Sequence, residues 1–320
     1  MSLHNGCILV LSVAILTLTT FTTTTNTHVL KDEPTPAPTP TPTSTPPSPN
    51  TVEIFVQNGR LIGEKVHIRD LENRSVVRFL GVPYAKPPLG RLRFRRPEPL
   101  TKWTEPVRAL HWPASCIQKK AALKRYINQN MSEDCLKLNL WTPGVNADEH
   151  SLRPVLFWIP GGSFHFGSAS FDLYNGEALA VMSNSVVVTI NYRVSTMGFF
   201  YSDQVEGIKG NAGLFDQALA LKWVSENIRY FGGDPNKVTI MGESAGSWSV
   251  SLHILSPVTR GLFSNAVMMS GAALVKSVIT PEQMLPKLLK GISKVGCAAE
   301  NVTGITEEVV TCLQTLGAEQ

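Results

Sequence analysis

Ser244 stands between two glycines in the run Gly242-Glu243-Ser244-Ala245-Gly246, a Gly-x-Ser-x-Gly spacing that can serve nucleophilic chemistry. Glycines on either side let a strand-to-helix corner hold the serine in a strained conformation, because a side chain at Gly242 or Gly246 would collide with the neighbouring turn. That corner lifts the hydroxyl clear of a sheet. It also sets the Ala245 N–H at the start of a helix, where unpaired amides and the positive helix end favour a developing oxyanion. A second glycine corner, Pro160-Gly161-Gly162-Ser163-Phe164, brings further N–H groups that are free to point at a ligand. Five residues alone are also compatible with an ordinary turn, so the flanking elements must decide.

Those elements have a consistent pattern. Residues 237–241 form a short apolar strand running into the Ser244 corner, and the helix that follows, 247–255, is closed by Pro257. Residues 154–159 are a near-continuous apolar run, the signature of a strand buried on both faces, and they lead directly into Gly161-Gly162. Residues 185–191 and 265–269 read as further buried strands, and 136–141 alternates as a half-buried one. Upstream, 52–68 alternates about Asn58-Gly59 as an antiparallel hairpin, and 76–82 is another short strand. Helices are predicted at 177–182, 213–230 and 281–295; in the second, Leu214, Ala218, Leu221, Val224 and Ile228 share a face. Alternating strands and helices predict an α/β fold with a central, mostly parallel sheet. Ligands in such sheets bind at the carboxyl ends of strands, where both glycine corners lie.

The 320 residues suit one large globular domain, and a net charge of +4 spread over both signs says little about nucleic acid or anionic membranes; no nucleic-acid partner is expected. The basic run from Arg91 to Arg96 has Leu92 and Phe94 interleaved and reads as structural. Residues 1–21 resemble a secretory signal peptide whose apolar stretch, 7–18, is well short of the ~20 residues of a spanning helix. Residues 22–50 are Thr/Pro/Ser-rich and read as an extended stalk, which leaves 51–320 as the folded part. Four cysteines remain after the leader, and proximity favours Cys116–Cys135 and Cys297–Cys312 among three connectivities, each stabilising by roughly 3 kcal/mol. Asn73, Asn130 and Asn301 lie in glycosylation sequons. These features predict a secreted, extracellular glycoprotein. No Cys-x-x-Cys or Cys/His cluster points to a metal, and no cofactor is expected.

From about residue 52 to 316 the chain resembles the type-B carboxylesterase/cholinesterase family of the α/β-hydrolase fold. The resemblance rests on Phe79-Leu80-Gly81-Val82-Pro83-Tyr84-Ala85, Arg93-Phe94-Arg95-Arg96-Pro97, Ser132-Glu133-Asp134-Cys135-Leu136, Asn191-Tyr192-Arg193-Val194, Gly210-Asn211-Ala212-Gly213-Leu214, Asp216-Gln217, Phe231-Gly232-Gly233-Asp234-Pro235 and the Ser244 run. It implies that Ser244 is the acylated nucleophile and that Gly162, Ser163 and Ala245 supply oxyanion-hole amides. It further implies structural ion pairs Arg93–Glu133 and Arg193–Asp216, and the two disulfides already favoured. Family members usually carry His or Tyr before the glycines and often Gly third; here those positions are Pro160 and Ser163. Ser163 still has an amide hydrogen.

Serine needs a base, and in this fold the acid and histidine follow it in the order Ser, Asp/Glu, His. After Ser244 the chain has a single histidine, His253, on the helix that starts at the nucleophile, and it reads as a packing or surface residue. Glu282, Glu300, Glu307, Glu308 and Glu319 are too near in sequence to be the family's acid. The expectation is therefore an N-terminal portion of the domain, lacking the seventh and eighth core strands and inactive alone. The complete protein is expected to hydrolyse small carboxylic esters. Choline-ester specialisation is less supported, because the Cys116–Cys135 loop has no Trp and only Tyr126 to face a cation. The rivals are a non-catalytic adhesion protein of the neuroligin or gliotactin kind, which typically loses the nucleophile, and a slow-turnover ester scavenger. Oligomeric state and any C-terminal anchor have no signal here.

Overall fold

The computed structural model describes residues 49–71, 74–124, 126–145, 148–274 and 279–318. The predicted leader, nearly all of the predicted stalk and the sequon at Asn73 lie outside the described residues.

Among the described residues nine strands form one sheet: β1 (Thr51–Val56), β2 (Gly59–Ile68), β3 (Arg74–Pro83), β4 (Val107–Arg108), β5 (Lys137–Thr142), β6 (Arg153–Ile159), β7 (Val186–Ile190), β8 (Gly233–Glu243) and β9 (Asn265–Met269). The helices are α1 (Glu177–Ser183), α2 (Ser195–Phe199), α3 (Ala212–Asn227), α4 (Ala245–Leu255), α5 (Pro281–Lys294) and α6 (Glu307–Thr315). The strand order is β1-β2-β3-β5-β7-β6-β8-β9, with β4 beside β2. The sheet is mixed where the sequence predicts a mostly parallel one. Pairs β1–β2, β2–β3, β3–β5 and β5–β7 are antiparallel, and only the β7-β6-β8-β9 half, with the short β2–β4 pair, is parallel. Tight returns such as the β1–β2 turn dictate antiparallel neighbours, whereas helical crossovers begin only after β6. From β6 the chain passes through α1 to β7 on one side, then through α3 to β8 on the other. The carboxyl end of β6 is thus the topological switch point, the usual place for a ligand crevice.

Alternation along the parallel strands sorts the core. Val155, Phe157 and Ile159, Val186, Val188 and Ile190, and Val238 and Ile240 are buried in one cluster with Leu221 and Val224 of α3 and Val250 of α4. On the opposite face Val76, Leu80, Trp141 and Val187 pack with Ala180 of α1. The one-faced reading of α3 captures only part of its burial: Asp216, Gln217, Trp223 and Asn227 are buried too, and Leu214 only partly. A single 3-10 turn then carries the chain to Gly232, whose φ of 77° ends it. β9 also departs from its reading as a buried strand. It is the sheet edge, paired with β8, and Val267 and Met268 are exposed. An apolar run reports what a strand can bury, and burial still requires a covering layer.

A smaller core forms where Met284, Leu288 and Ile292 of α5 and Val309 and Val310 of α6 meet Phe94, Phe200, Val205 and Ile208. Among the described residues no helix is long and apolar enough to cross a membrane, and no group of three His, Cys, Asp or Glu side chains could hold a metal.

Candidate active site

β8 ends in Ser244, whose φ of 54° and ψ of −118° belong to neither strand nor helix. Gly242 and Gly246 permit this bend. A Cβ at Gly242 would sit 2.5 Å from the backbone carbon of Gly246, and one at Gly246 would run into the carbonyl oxygen of Ile159. The corner is held from outside: Ser244 N–H donates to Met269 O at 2.9 Å, and Trp248 N–H donates to Ser244 O at 2.9 Å as α4 begins. The Ser244 hydroxyl makes no capping bond to α4. Among the described residues it has no hydrogen-bond partner, and neither has the Ala245 N–H.

The glycine loop is brought level with this corner by register, because Ile159 of β6 pairs with Gly242 of β8. Gly161 lies against the elbow so closely that a Cβ there would be 2.5 Å from the Glu243 carbonyl oxygen. Gly162 has φ 120°, and its carbonyl accepts from His165 and Phe166 N–H at 2.9 and 3.1 Å. Ser163 and Phe164 follow with φ 55° and 59°, two left-handed residues in succession. Among the described residues the N–H groups of Gly162 and Ser163 have no acceptor. Three residues whose roles local spacing does not reveal clamp the loop. Tyr192 Oη donates to Pro160 O at 2.8 Å, Ser195 N–H donates to Phe164 O at 2.6 Å, and the Gln118 amide makes a two-bond bridge to Gly167 at 2.9 and 3.0 Å. Burial pushes the Tyr192 phenol well above its ordinary pKa, so it remains a donor.

The remaining sequence-derived positions have scaffold geometry. Arg193 meets Asp216 in a two-pronged pair at 2.8 and 2.7 Å, and its own N–H also donates to Asp216 Oδ2, all of it buried. Arg93 meets Glu133 at 2.7 and 2.6 Å and sends its remaining nitrogen to the carbonyls of Leu313 and Leu316. Its neighbours in the basic run also have protein contacts: Arg95 binds Glu307, and Arg96 lies 3.8 Å above the Phe215 ring. Disulfides join Cys116 to Cys135 and Cys297 to Cys312. Asn130 and Asn301 are exposed.

His253 is buried, with Nε2 2.9 Å from Gln217 Oε1 on α3, so its ring is tied to the scaffold and not to Ser244. Burial lowers its pKa to about 4, which keeps the ring neutral near pH 7. A cavity of about 460 Å³ opens beside Glu243, lined by Leu156, Trp158, Tyr174, Val187 and Met241 among others. Tyr126, from the first disulfide loop, does not face it as a free cation platform; its ring stacks on Phe171 at 3.5 Å, and Phe171 in turn stacks on Tyr174 at 6.0 Å.

A strained serine and the amides without acceptors thus come from adjoining strands at one switch point. The profile described as "Carboxylesterase family" matches residues 50–320. The chain belongs to the carboxylesterase family. The family is one of serine ester hydrolases with the α/β-hydrolase fold, and the mixed sheet with flanking helices is its framework here. Over 247 residues, this carboxylesterase-family chain is 43% identical to Acetylcholinesterase-1 of Trittame loki, an alignment covering 75% of the chain and 44% of that relative. Over 230 residues it is 45% identical to Cocaine esterase of Homo sapiens, covering 69% and 40%. Against Cholinesterase of Mus musculus the identity is 41% over 249 residues, covering 75% and 40%. The chain thus spans less than half the length of the curated relatives it matches.

Proposed function

We propose that the protein carrying this chain is a secreted serine hydrolase of small carboxylic esters. Ser244 attacks the ester carbonyl and becomes acylated; the N–H groups of Gly162, Ser163 and Ala245 bind the tetrahedral oxyanion; the alcohol leaves, and water hydrolyses the acyl-enzyme. The observation that carries this reading is the convergence of an uncapped, strained Ser244 with unpaired amides from a second loop, held together by the β6–β8 register. Secretion is supported by the two disulfides, which persist in oxidising compartments, and by the leader-like residues 1–21. The exposed Asn130 and Asn301, together with Asn73, are the proposed glycan acceptors.

Turnover requires a base, and among the described residues none hydrogen-bonds the Ser244 hydroxyl. The chain alone is therefore proposed to lack turnover, with the acid and histidine of the triad supplied by sequence outside it. A general carboxylesterase is favoured over a choline-ester specialist, since the first disulfide loop has no Trp and Tyr126 is stacked on Phe171. The test is covalent labelling of the full-length protein with a fluorophosphonate probe. Wild type is expected to label and to hydrolyse p-nitrophenyl acetate, and Ser244→Ala to do neither. Absence of labelling in wild type, or equal labelling of Ser244→Ala, would overturn the reading.

A further inference from the structure

We propose that His253, Gln217 and Ser249 form a buried relay that anchors the first turn of α4 at the Ala245 carbonyl and so steadies the adjoining Ser244–Ala245 peptide, whose N–H binds the oxyanion, an inference that rests on the reading of Ser244 as the acylated nucleophile. His253 Nε2 lies 2.9 Å from Gln217 Oε1, Gln217 Nε2 donates to Ser249 Oγ at 3.1 Å, and Ser249 Oγ donates to Ala245 O at 2.9 Å. Gln217 and Ser249 are fully buried and His253 is 5% exposed. The relay therefore starts near the carboxyl end of α4, crosses to α3 and returns to the residue immediately after the nucleophile.

Each link fixes the next. Ser249 spends its hydroxyl hydrogen on Ala245 O, so toward Gln217 it must accept. Gln217 then presents its NH₂ to Ser249 and its oxygen to His253, and His253 must carry its hydrogen on Nε2. Burial keeps that ring neutral, with its pKa lowered to about 4, and the His253 carbonyl is itself anchored by the buried Thr259 hydroxyl at 2.8 Å.

The need for such a device follows from the first turn of α4. Most helices fix this turn with the side chain of the N-cap residue. Here the N-cap is Ser244, which makes no cap bond because its hydroxyl stays free for the substrate. Order must come from other groups. Ser247 Oγ donates to Gly271 O at 2.6 Å, Trp248 N–H holds the Ser244 carbonyl, and the relay grips the Ala245 carbonyl. A purely apolar α3–α4 contact would pack the helices equally well, whereas three buried polar side chains stabilise only when every bond is made. Their fully matched directions make the Ala245 carbonyl the fixed end of the chain, one Cα away from the peptide that carries the Ala245 N–H.

The test uses the full-length protein with variants Gln217→Glu, Ser249→Ala, His253→Ala and His253→Gln. Gln217→Glu keeps shape but removes the donor to Ser249, whose hydroxyl then turns to the carboxylate and releases Ala245 O. His253→Gln places an N–H donor near the Nε2 position. Gln217→Glu, Ser249→Ala and His253→Ala are expected to lower kcat and the rate of Ser244 phosphonylation about tenfold with KM held within about twofold, the scale of a misaligned donor. His253→Gln is expected to recover most of that loss at unchanged Tm. Should His253→Ala fail to fold, the Gln217→Glu isostere carries the comparison. A wild type that labels while Gln217→Glu and Ser249→Ala label at the same rate overturns the relay alone, as do losses confined to KM or a His253→Gln variant as slow as His253→Ala. A wild type that fails to label overturns the nucleophile reading and the relay with it.

Discussion

At φ 54° and ψ −118°, Ser244 holds a backbone conformation that glycine adopts far more readily than serine. The strain is local and testable. Ser244→Gly is expected to abolish phosphonate labelling yet raise stability by about 1 kcal/mol, after allowing for the extra freedom of glycine in the unfolded chain. Ser244→Ala should abolish labelling without that gain, and equal denaturant midpoints for the two variants would show that the corner is unstrained. The spacing of Gly242, Ser244 and Gly246 made this corner legible in the sequence. The left-handed Ser163 was not legible, because an amide that any residue possesses says nothing about its φ. Gln118 and Tyr192 were invisible as loop clamps for a related reason: their bonds span 49 and 32 residues, and no local pattern encodes them.

At the scale of elements, the Arg193–Asp216 pair joins the loop after β7 to the first turns of α3. Gly198 and Gly213 both crowd the Arg193 carbonyl, so backbone and charge are locked at one point. Removing one partner leaves a buried charge uncompensated. Asp216→Asn is expected to cost about 3–5 kcal/mol in urea unfolding. A loss below about 1 kcal/mol would place the pair among the weak, solvent-screened bridges and contradict its buried geometry. The same elements show the limit of periodicity. Alternation located β1, β2 and β5, and the apolar runs located β6, β7 and β9, but an apolar run cannot reveal that β9 lies at an edge. Nor could it show that α3 buries Asp216 and Gln217 as well as its apolar stripe, since polar residues enter a core only when distant partners satisfy them.

For the whole molecule, the parallel half of the sheet is covered by α3 and α4 on one face. On the other, α1 reaches Val187 of β7, leaving Leu156, Trp158 and Met241 to line the 460 Å³ cavity beside Glu243. Val267 and Met268 on the edge strand are 41% and 46% exposed. Contiguous apolar surface next to a free strand edge invites association. The 320-residue chain expressed by itself is expected to enhance the fluorescence of an apolar-surface dye. Val267→Lys with Met268→Lys should reduce both that signal and light scattering, with little change in Tm because neither side chain is buried. A dye signal unaffected by the pair would locate the exposed apolar surface elsewhere.

The sequence by itself determined the Gly-x-Ser-x-Gly corner, the second glycine corner, most strands and helices and the family, because these depend on residue type at fixed short spacing. Tertiary structure alone decided the mixed strand order, the β6–β8 register that joins the two corners, the clamps on the loop from Pro160 to Gly167 and the burial of His253 against Gln217. Each of these depends on contacts between residues far apart in the chain, whose free energy exists only after the sheet and its helices have closed around them.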